Sequence, residues 1–191
     1  FECIPDLPPG LQNAWIHINK DAPLVPWPSS LTSLILEDWV YGFTETLPSS
    51  LTSLSITSSA ETKPFPFDQL PQSLRYLEWS DYTVSFITSS KHDFLALPPC
   101  LTFLKVSSRF ILESRSSAAL PRTLLSISLA VTYLADLHEF EWVAHLPNGL
   151  KKLELLAPLA KSPAFDFVHL ARSVPQLNTL RLTARVFDMH D

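Results

Sequence analysis

The strings WPSSLTSLIL at 27–36 and LPSSLTSLSI at 47–56 are nearly the same ten residues, written twice at an offset of 20. The frame recurs as LPQSLRYLEW (70–79), LPPCLTFLKV (97–106), LPRTLLSISL (120–129) and LPNGLKKLEL (146–155). LPPGLQNAWI (7–16) precedes these copies, and VPQLNTLRL (174–182) follows with one residue fewer between Pro and the first Leu. The prolines at 8, 28, 48, 71, 98, 121, 147 and 175 are spaced by 20, 20, 23, 27, 23, 26 and 28 residues, a mean of about 24. Among repeat architectures, a unit of roughly 20–29 residues ending in L-x-x-L-x-L is that of a leucine-rich solenoid.

The pattern has a physical reading. Its last two apolar positions are two apart, the spacing of a strand with one buried face. The first Leu closes the turn into that strand. Proline three residues earlier fixes φ and donates no hydrogen bond, which suits a chain reversal. One repeat cannot bury its own apolar face, so the stack is the folding unit. The inward residues expected are Leu31, Leu34, Leu36; Leu51, Leu54, Ile56; Leu74, Leu77, Trp79; Leu101, Leu104, Val106; Leu124, Ile127, Leu129; Leu150, Leu153, Leu155; and Leu177, Leu180, Leu182. A weaker first set is Leu11, Ala14 and Ile16.

The returning segments vary in length. DWVYGFTET and SSAETKPFPFDQ leave room for extended chain or a single turn. DLHEFEWVAHL (136–146) and AFDFVHLARSV (164–174) carry helical spacing, the latter in Phe167, Leu170, Ala171 and Val174. DFLAL (93–97) and FILESRSSAAL (110–120) read as shorter turns. The fold class is therefore α/β, a solenoid with a curved parallel sheet on its concave face and extended or short helical returns on its convex face. Residues 1–191 read as a single repeat domain with cores near 7–16, 27–36, 47–56, 70–79, 97–106, 120–129, 146–155 and 174–182.

These residues resemble the leucine-rich-repeat superfamily in its L-P-x-x-L variant. LPSSLTSL and LPQSLRYL are similar to FNIP-type repeats, and the 20-residue units to the repeats of bacterial secreted effectors. The resemblance covers about 5–184. It implies an interaction module using the concave sheet. It also implies an Asn three residues after the last strand Leu, bonding the neighbouring coil. Those positions hold Asn19, Trp39, Ser59, Tyr82, Arg109, Thr132, Pro158 and Arg185, so only the first matches. The F-N-x-P-I string is absent, with PFPFDQLP (64–71) a faint echo.

Composition bounds the function. The chain is 46% hydrophobic and 17% charged, with 17 Pro and 3 Gly. Three glycines cannot build a glycine-rich phosphate loop. Net charge is -5, but residues 1–95 carry 11 acids against 4 bases, and residues 96–191 carry 8 acids against 10 bases. That polarity can orient a partner; it is not the basic footprint of a nucleic-acid binder. No apolar run reaches the roughly 18 residues of a membrane span. Cys3 and Cys100 are too few for a disulfide framework or zinc site. With no N-x-S/T sequon and no signal-peptide pattern, the sequence leans to an intracellular setting.

Candidate chemistry is sparse. His138 with Glu141 and Asp166 with His169 make pairs, whereas a metal needs three or four convergent ligands. Cys100 has His92 as its nearest base in sequence, with nothing else to support a dyad. Glu37, Glu78 and Glu154 are expected to share one outward strand position, without further support for hydrolysis. No catalytic, cofactor or metal site is assigned, and the chain is not expected to be an enzyme. The outward strand residues place Tyr76 and Phe103 side by side, flanked by Glu78 and Lys105; exposed aromatics with polar neighbours are typical of interface hot spots. Trp15 and Glu37 join these four as candidate partner-binding residues. The function expected is binding of a protein partner through the concave face. The alternative is a structural or substrate-receptor segment of a larger chain or complex, such as a ubiquitin-ligase subunit, held through its ends and loops.

Overall fold

The structure is a computed structural model, and it describes residues 7–17, 26–38, 46–58, 69–81, 97–107, 120–130, 144–157 and 167–184. Each repeat core yields one strand: β1 (Asn13–His17), β2 (Ser33–Glu37), β3 (Ser53–Ser58), β4 (Tyr76–Asp81), β5 (Phe103–Ser107), β6 (Ser126–Ala130), β7 (Lys152–Ala157) and β8 (Thr179–Ala184). They form one sheet in chain order, every neighbouring pair parallel. The register follows the repeat alignment without slippage, as Leu34↔Leu54, Leu54↔Leu77 and Leu77↔Leu104 show.

The inward leucines make the core. From Leu31 to Leu155 every expected inward residue is buried, with Trp79 the largest. The residue before the repeat Pro is buried at Leu47, Leu70, Leu97 and Leu146 and partly buried at Trp27 and Leu120. These coils thus add a fourth apolar side chain that strand spacing alone does not pick out. The terminal coils differ. Leu11, Ala14 and Ile16 are only partly buried, and so is Leu177. Leu180 and Leu182 keep the inward register, opposite Leu153 and Leu155, yet stay 36% and 38% exposed. The inward pairs of β2 to β7 have a neighbouring strand on each side, whereas among the described residues β1 and β8 have one on one side only.

The turn before each strand is closed by a hydrogen bond from the first Leu amide to the Pro carbonyl, as in Leu31 to Pro28 (3.1 Å) and Leu51 to Pro48 (3.0 Å). Pro is therefore the first residue of a four-residue turn. In the last coil Leu177 donates to Val174 instead, at 3.0 Å. No residue is deleted there. Val174 takes the place of Pro, and Pro175 moves to the second turn position, where its fixed φ is favoured.

The implied asparagine positions lie outside the described residues, but a different ladder ties the coils together. The residue just before the first Leu is Ser30, Ser50, Ser73 or Thr123. Its hydroxyl donates to the first-Leu carbonyl of the preceding coil: to Leu11 (2.8 Å), Leu31 (2.7 Å), Leu51 (2.7 Å) and Leu101 (2.8 Å). Among the described residues no backbone amide outside the strands reaches those carbonyls. Thr32, Thr52 and Thr102 form a second line, donating to the carbonyls of Gln12, Thr32 and Arg75.

Of the returning segments, one described helix, α1 (Phe167–Ser173), fulfils the helical spacing read over 164–174. Leu170 and Val174 are buried, but Ala171 is exposed, so the buried stripe is narrower than expected. Pro175 ends α1, since it cannot supply the next amide. The other returning segments lie outside the described residues except at their ends. No helix among the described residues is long and apolar enough to cross a membrane.

The ladder makes a stability prediction. Ser50→Ala is expected to cost about 1 kcal/mol, the usual net worth of one such bond. Cys100 occupies the equivalent position of its coil, one residue ahead of Leu101, so Cys100→Ser is expected to add a ladder bond to the Leu74 carbonyl and stabilise by about 0.5–1 kcal/mol. Paired denaturant unfolding curves check both; a serine variant no more stable than the cysteine form removes the ladder's energetic role at that coil.

Candidate functional site

The residues that point away from the core line up in rows across the sheet, because the parallel register sets equivalent positions side by side. One row runs Asn13, Ser33, Ser53, Tyr76, Phe103, Ser126, Lys152 and Thr179, and the next Trp15, Ile35, Ser55, Glu78, Lys105, Ser128, Glu154 and Arg181. Glu37 belongs to neither. It pairs with His17, while Glu78 stands in the row of Ile35 and Ser55. The expectation that Glu37, Glu78 and Glu154 share one position is therefore corrected; only Glu78 and Glu154 do.

Tyr76 and Phe103 are direct register partners on β4 and β5, and their rings stack at a centroid distance of 4.4 Å with 4° between planes. Adjacent strands lie about 4.8 Å apart, so in-register aromatics on parallel strands are brought face to face by the backbone itself. Glu78 and Lys105 repeat the pairing one row over. The Tyr76 hydroxyl donates to Glu78 Oε2 at 2.7 Å, and Lys105 Nζ donates to Glu78 Oε1 at 2.5 Å. Both carboxylate oxygens of Glu78 are thus engaged.

These contacts set the charge states. Burial alone would push the Glu78 carboxyl up, but hydrogen bonds from Lys105 and Tyr76, with the lysine's charge, hold it below its ordinary value of 4.5. The Tyr76 phenol is pushed up to about 12 by burial first, then by its bond to Glu78 and that group's charge. The stacked pair therefore sits above one ionised carboxylate shared by a phenol and an ammonium.

A smaller network lies two strands away. Lys152 Nζ is 3.0 Å from Glu154 Oε1, and Arg181 Nη1 is 4.0 Å from the same oxygen. The Lys152 hydrogen bond is the main force lowering Glu154, with help from the Ser128 hydroxyl and the two cationic charges, against the burial that raises it.

The six candidate residues divide into two groups. Tyr76, Glu78, Phe103 and Lys105 form one contact cluster at the middle of the sheet. Trp15 and Glu37 lie on β1 and β2, across β3 from it. There Trp15 is 72% exposed beside Ile35 at 39%, the most apolar part of the outward face. His17 lies 3.3 Å from Asp38 and 3.8 Å from Glu37. Asp38 adopts φ of 56°, a left-handed conformation that Asp tolerates better than most residues. Sequence reading missed this triad, because Asp38 follows the strand and no spacing rule places it.

Cys100 is exposed in its turn, whereas Cys3, His92, His138, Glu141 and Asp166 lie outside the described residues. His169 is exposed on α1. Among the described residues no group of three His, Cys, Asp or Glu side chains is placed to hold a metal ion.

No protein-family model matches the chain, and no curated protein matches it. One solved structure does: CroV588, described as a novel circular leucine-rich-repeat protein, aligns over 93% of this chain with a TM-score of 0.63 at 23% identity. The aligned part is 24% of that protein's chain, so the chain spans about a quarter of its length. At this identity the likeness shows the fold alone, a leucine-rich-repeat solenoid.

The shared carboxylate predicts two pH effects. A tyrosine whose folded pKa lies above its unfolded one contributes stability below about 10 that is lost as pH rises through about 12. Glu78, lowered from 4.5, contributes stability above that value that is lost as pH falls through its folded pKa. Phenolate absorbance, read as the difference between wild type and Tyr76→Phe, is expected to titrate near 12 and to shift back toward 10 in Glu78→Gln. In acid, Glu78→Gln is expected to flatten the fall in unfolding free energy. An unshifted phenol in the Gln variant rules out the coupling.

Proposed function

We propose that this chain is a protein-interaction module that binds a macromolecular partner through the outward face of its sheet, with Tyr76 and Phe103 as the anchor. The observation that supports this reading is the stacked pair. Two aromatic side chains stand on neighbouring strands, already ordered by each other and by Glu78 and Lys105. Side chains held in place before binding lose less entropy on association, and aromatic anchors carry much of the binding energy in protein interfaces. Serines flank the pair in its row, Ser53 on one side and Ser126 on the other, so a partner can approach both aromatics.

A second reading, a segment of a larger assembly held at its ends, is supported by the exposure of Leu180 and Leu182. There, apolar side chains of the core row offer a surface that a neighbouring element of a larger assembly can cover.

The first reading is tested by Tyr76→Ala with Phe103→Ala. Neither residue belongs to the buried core, so the double variant is expected to keep its far-ultraviolet circular dichroism. Proteins or selected peptides retained by the immobilised chain are expected to lose affinity by about thirtyfold or more, the cost of losing a hot spot worth 2 kcal/mol. Retention unchanged by the double substitution removes this face from the function.

A further inference from the structure

We propose that Asn148 is a site of spontaneous deamidation, and that its isoaspartyl product loosens the junction between β6 and β7. Asn148 and Gly149 are the two central residues of the turn from Pro147 to Leu150, which is closed by the Leu150 amide on the Pro147 carbonyl at 2.9 Å. Asparagine is chemically labile, and a glycine after it leaves the next amide nitrogen the least hindered path to the side-chain carbon. Of the four asparagines, at 13, 19, 148 and 178, only Asn148 precedes a glycine.

The turn leaves both reacting groups open. Asn148 is exposed, and among the described residues its carboxamide has no hydrogen-bond partner, so the side chain is free to rotate over the next nitrogen. The Gly149 amide makes no backbone hydrogen bond among the described residues, whereas the Leu150, Lys151 and Lys152 amides that follow are all bonded. Asn178 is held instead. Its Oδ1 accepts from the Thr179 hydroxyl at 3.1 Å, and the Thr179 amide is bonded to the Lys151 carbonyl at 3.0 Å. Asn13 is followed by Ala14, a partly buried residue of the core row.

The fold does not ask for glycine at 149. Its φ is not left-handed, and a Cβ added to it meets nothing within 4 Å. In the equivalent place Ser30, Ser50, Ser73 and Thr123 carry the hydroxyl ladder. Glycine there forgoes the matching bond to the Leu124 carbonyl and leaves Asn148 unshielded.

The reaction needs only water. The Gly149 nitrogen loses its proton and attacks Asn148 Cγ. The new C–N bond closes a five-membered succinimide as the Cγ–Nδ2 bond breaks and ammonia leaves. Water then opens the ring. Breaking the N–Cγ bond gives aspartate on an unchanged backbone, in line with Arg122, the equivalent residue of the coil before. Breaking the bond to the former main-chain carbonyl gives isoaspartate, whose backbone is one carbon longer. That carbon falls in the turn that delivers the Lys151 and Lys152 amides to the Leu125 carbonyl at 2.9 and 3.0 Å. Those two bonds set β7 on β6, so a longer turn strains them.

Peptide mass mapping of the 191-residue chain, kept folded in mildly alkaline buffer for several weeks, tests the site. The segment containing Asn148 is expected to gain one mass unit and to become a substrate for isoaspartyl methylation, while those containing Asn13 and Asn178 stay unchanged. Gly149→Ser is expected to slow the gain about tenfold or more, a barrier about 1.4 kcal/mol higher. Its unfolding midpoint is expected to hold or rise through a new bond to the Leu124 carbonyl. Should that variant not fold, Asn148→Gln takes its place, and the mass gain is expected to disappear. A folded chain that keeps Asn148 unmodified overturns the site, as does Gly149→Ser modified at the wild-type rate or Asn148→Gln still gaining mass. For the junction, Asn148→Asp carries the charge without the extra carbon and is expected to unfold like wild type. The isoaspartyl fraction is expected to unfold at lower denaturant, and a midpoint equal to that of Asn148→Asp overturns the loosening.

Discussion

One carbonyl per coil holds the structure in register. Gln12, Thr32, Thr52, Arg75, Thr102, Leu125 and Lys151 each accept two amides from the following coil. That double bond sets each strand beside its predecessor with equivalent residues aligned. A parallel sheet slipped by one residue would turn its leucines outward and its serines inward. The turn from Pro to the first Leu delivers the chain to that carbonyl at the same point in every coil, whether the preceding return is short or long. Repeat length is therefore free to vary while the sheet stays uniform.

The register has consequences on both faces. Inside, it stacks Leu on Leu across the array and lets Trp79 fill the row between Ile56 and Val106. Outside, it converts single residues into contacts. Tyr76 and Phe103 are 27 positions apart in sequence and stack because they are equivalent. Glu78 and Lys105 pair for the same reason. The half-buried carboxylate between them is stabilised by two donors, whereas the more exposed contacts of His17 with Glu37 and Asp38 are of the kind that adds little to stability. The centre of the outward face is therefore firm and self-satisfied, and its β1–β2 end is apolar and open.

The same logic that buries the middle coils exposes the last one. Burial of an inward residue requires a coil on both sides, so Leu180 and Leu182 carry the same side chain as Leu153 and Leu155 in a different environment. Hydroxyls perform the coil-to-coil bonding that asparagine performs in the repeats this chain resembles. They do so at the turn into the strand rather than after it, where Ser30, Ser50, Ser73 and Thr123 are all one residue ahead of the first Leu.

Much of this was legible in the chain alone. Period, strand spacing and the recurrence of L-P-x-x-L determined eight parallel strands, their register and the core from Leu31 to Leu155, because a repeat that must bury one face leaves little choice of which residues point inward. The side-by-side placement of Tyr76 with Phe103 and of Glu78 with Lys105 followed from the same alignment. The hydroxyl ladder was written in LPSSLT but carries no periodicity of its own, since a Ser before Leu reads equally well as solvent-facing. Tertiary structure alone decided the rest. It placed Asp38 against His17 through a left-handed backbone, began the last turn at Val174 instead of Pro175, and left Leu180 and Leu182 open. Each of these depends on what lies across a coil boundary, and the residues of a single repeat hold no record of their neighbour.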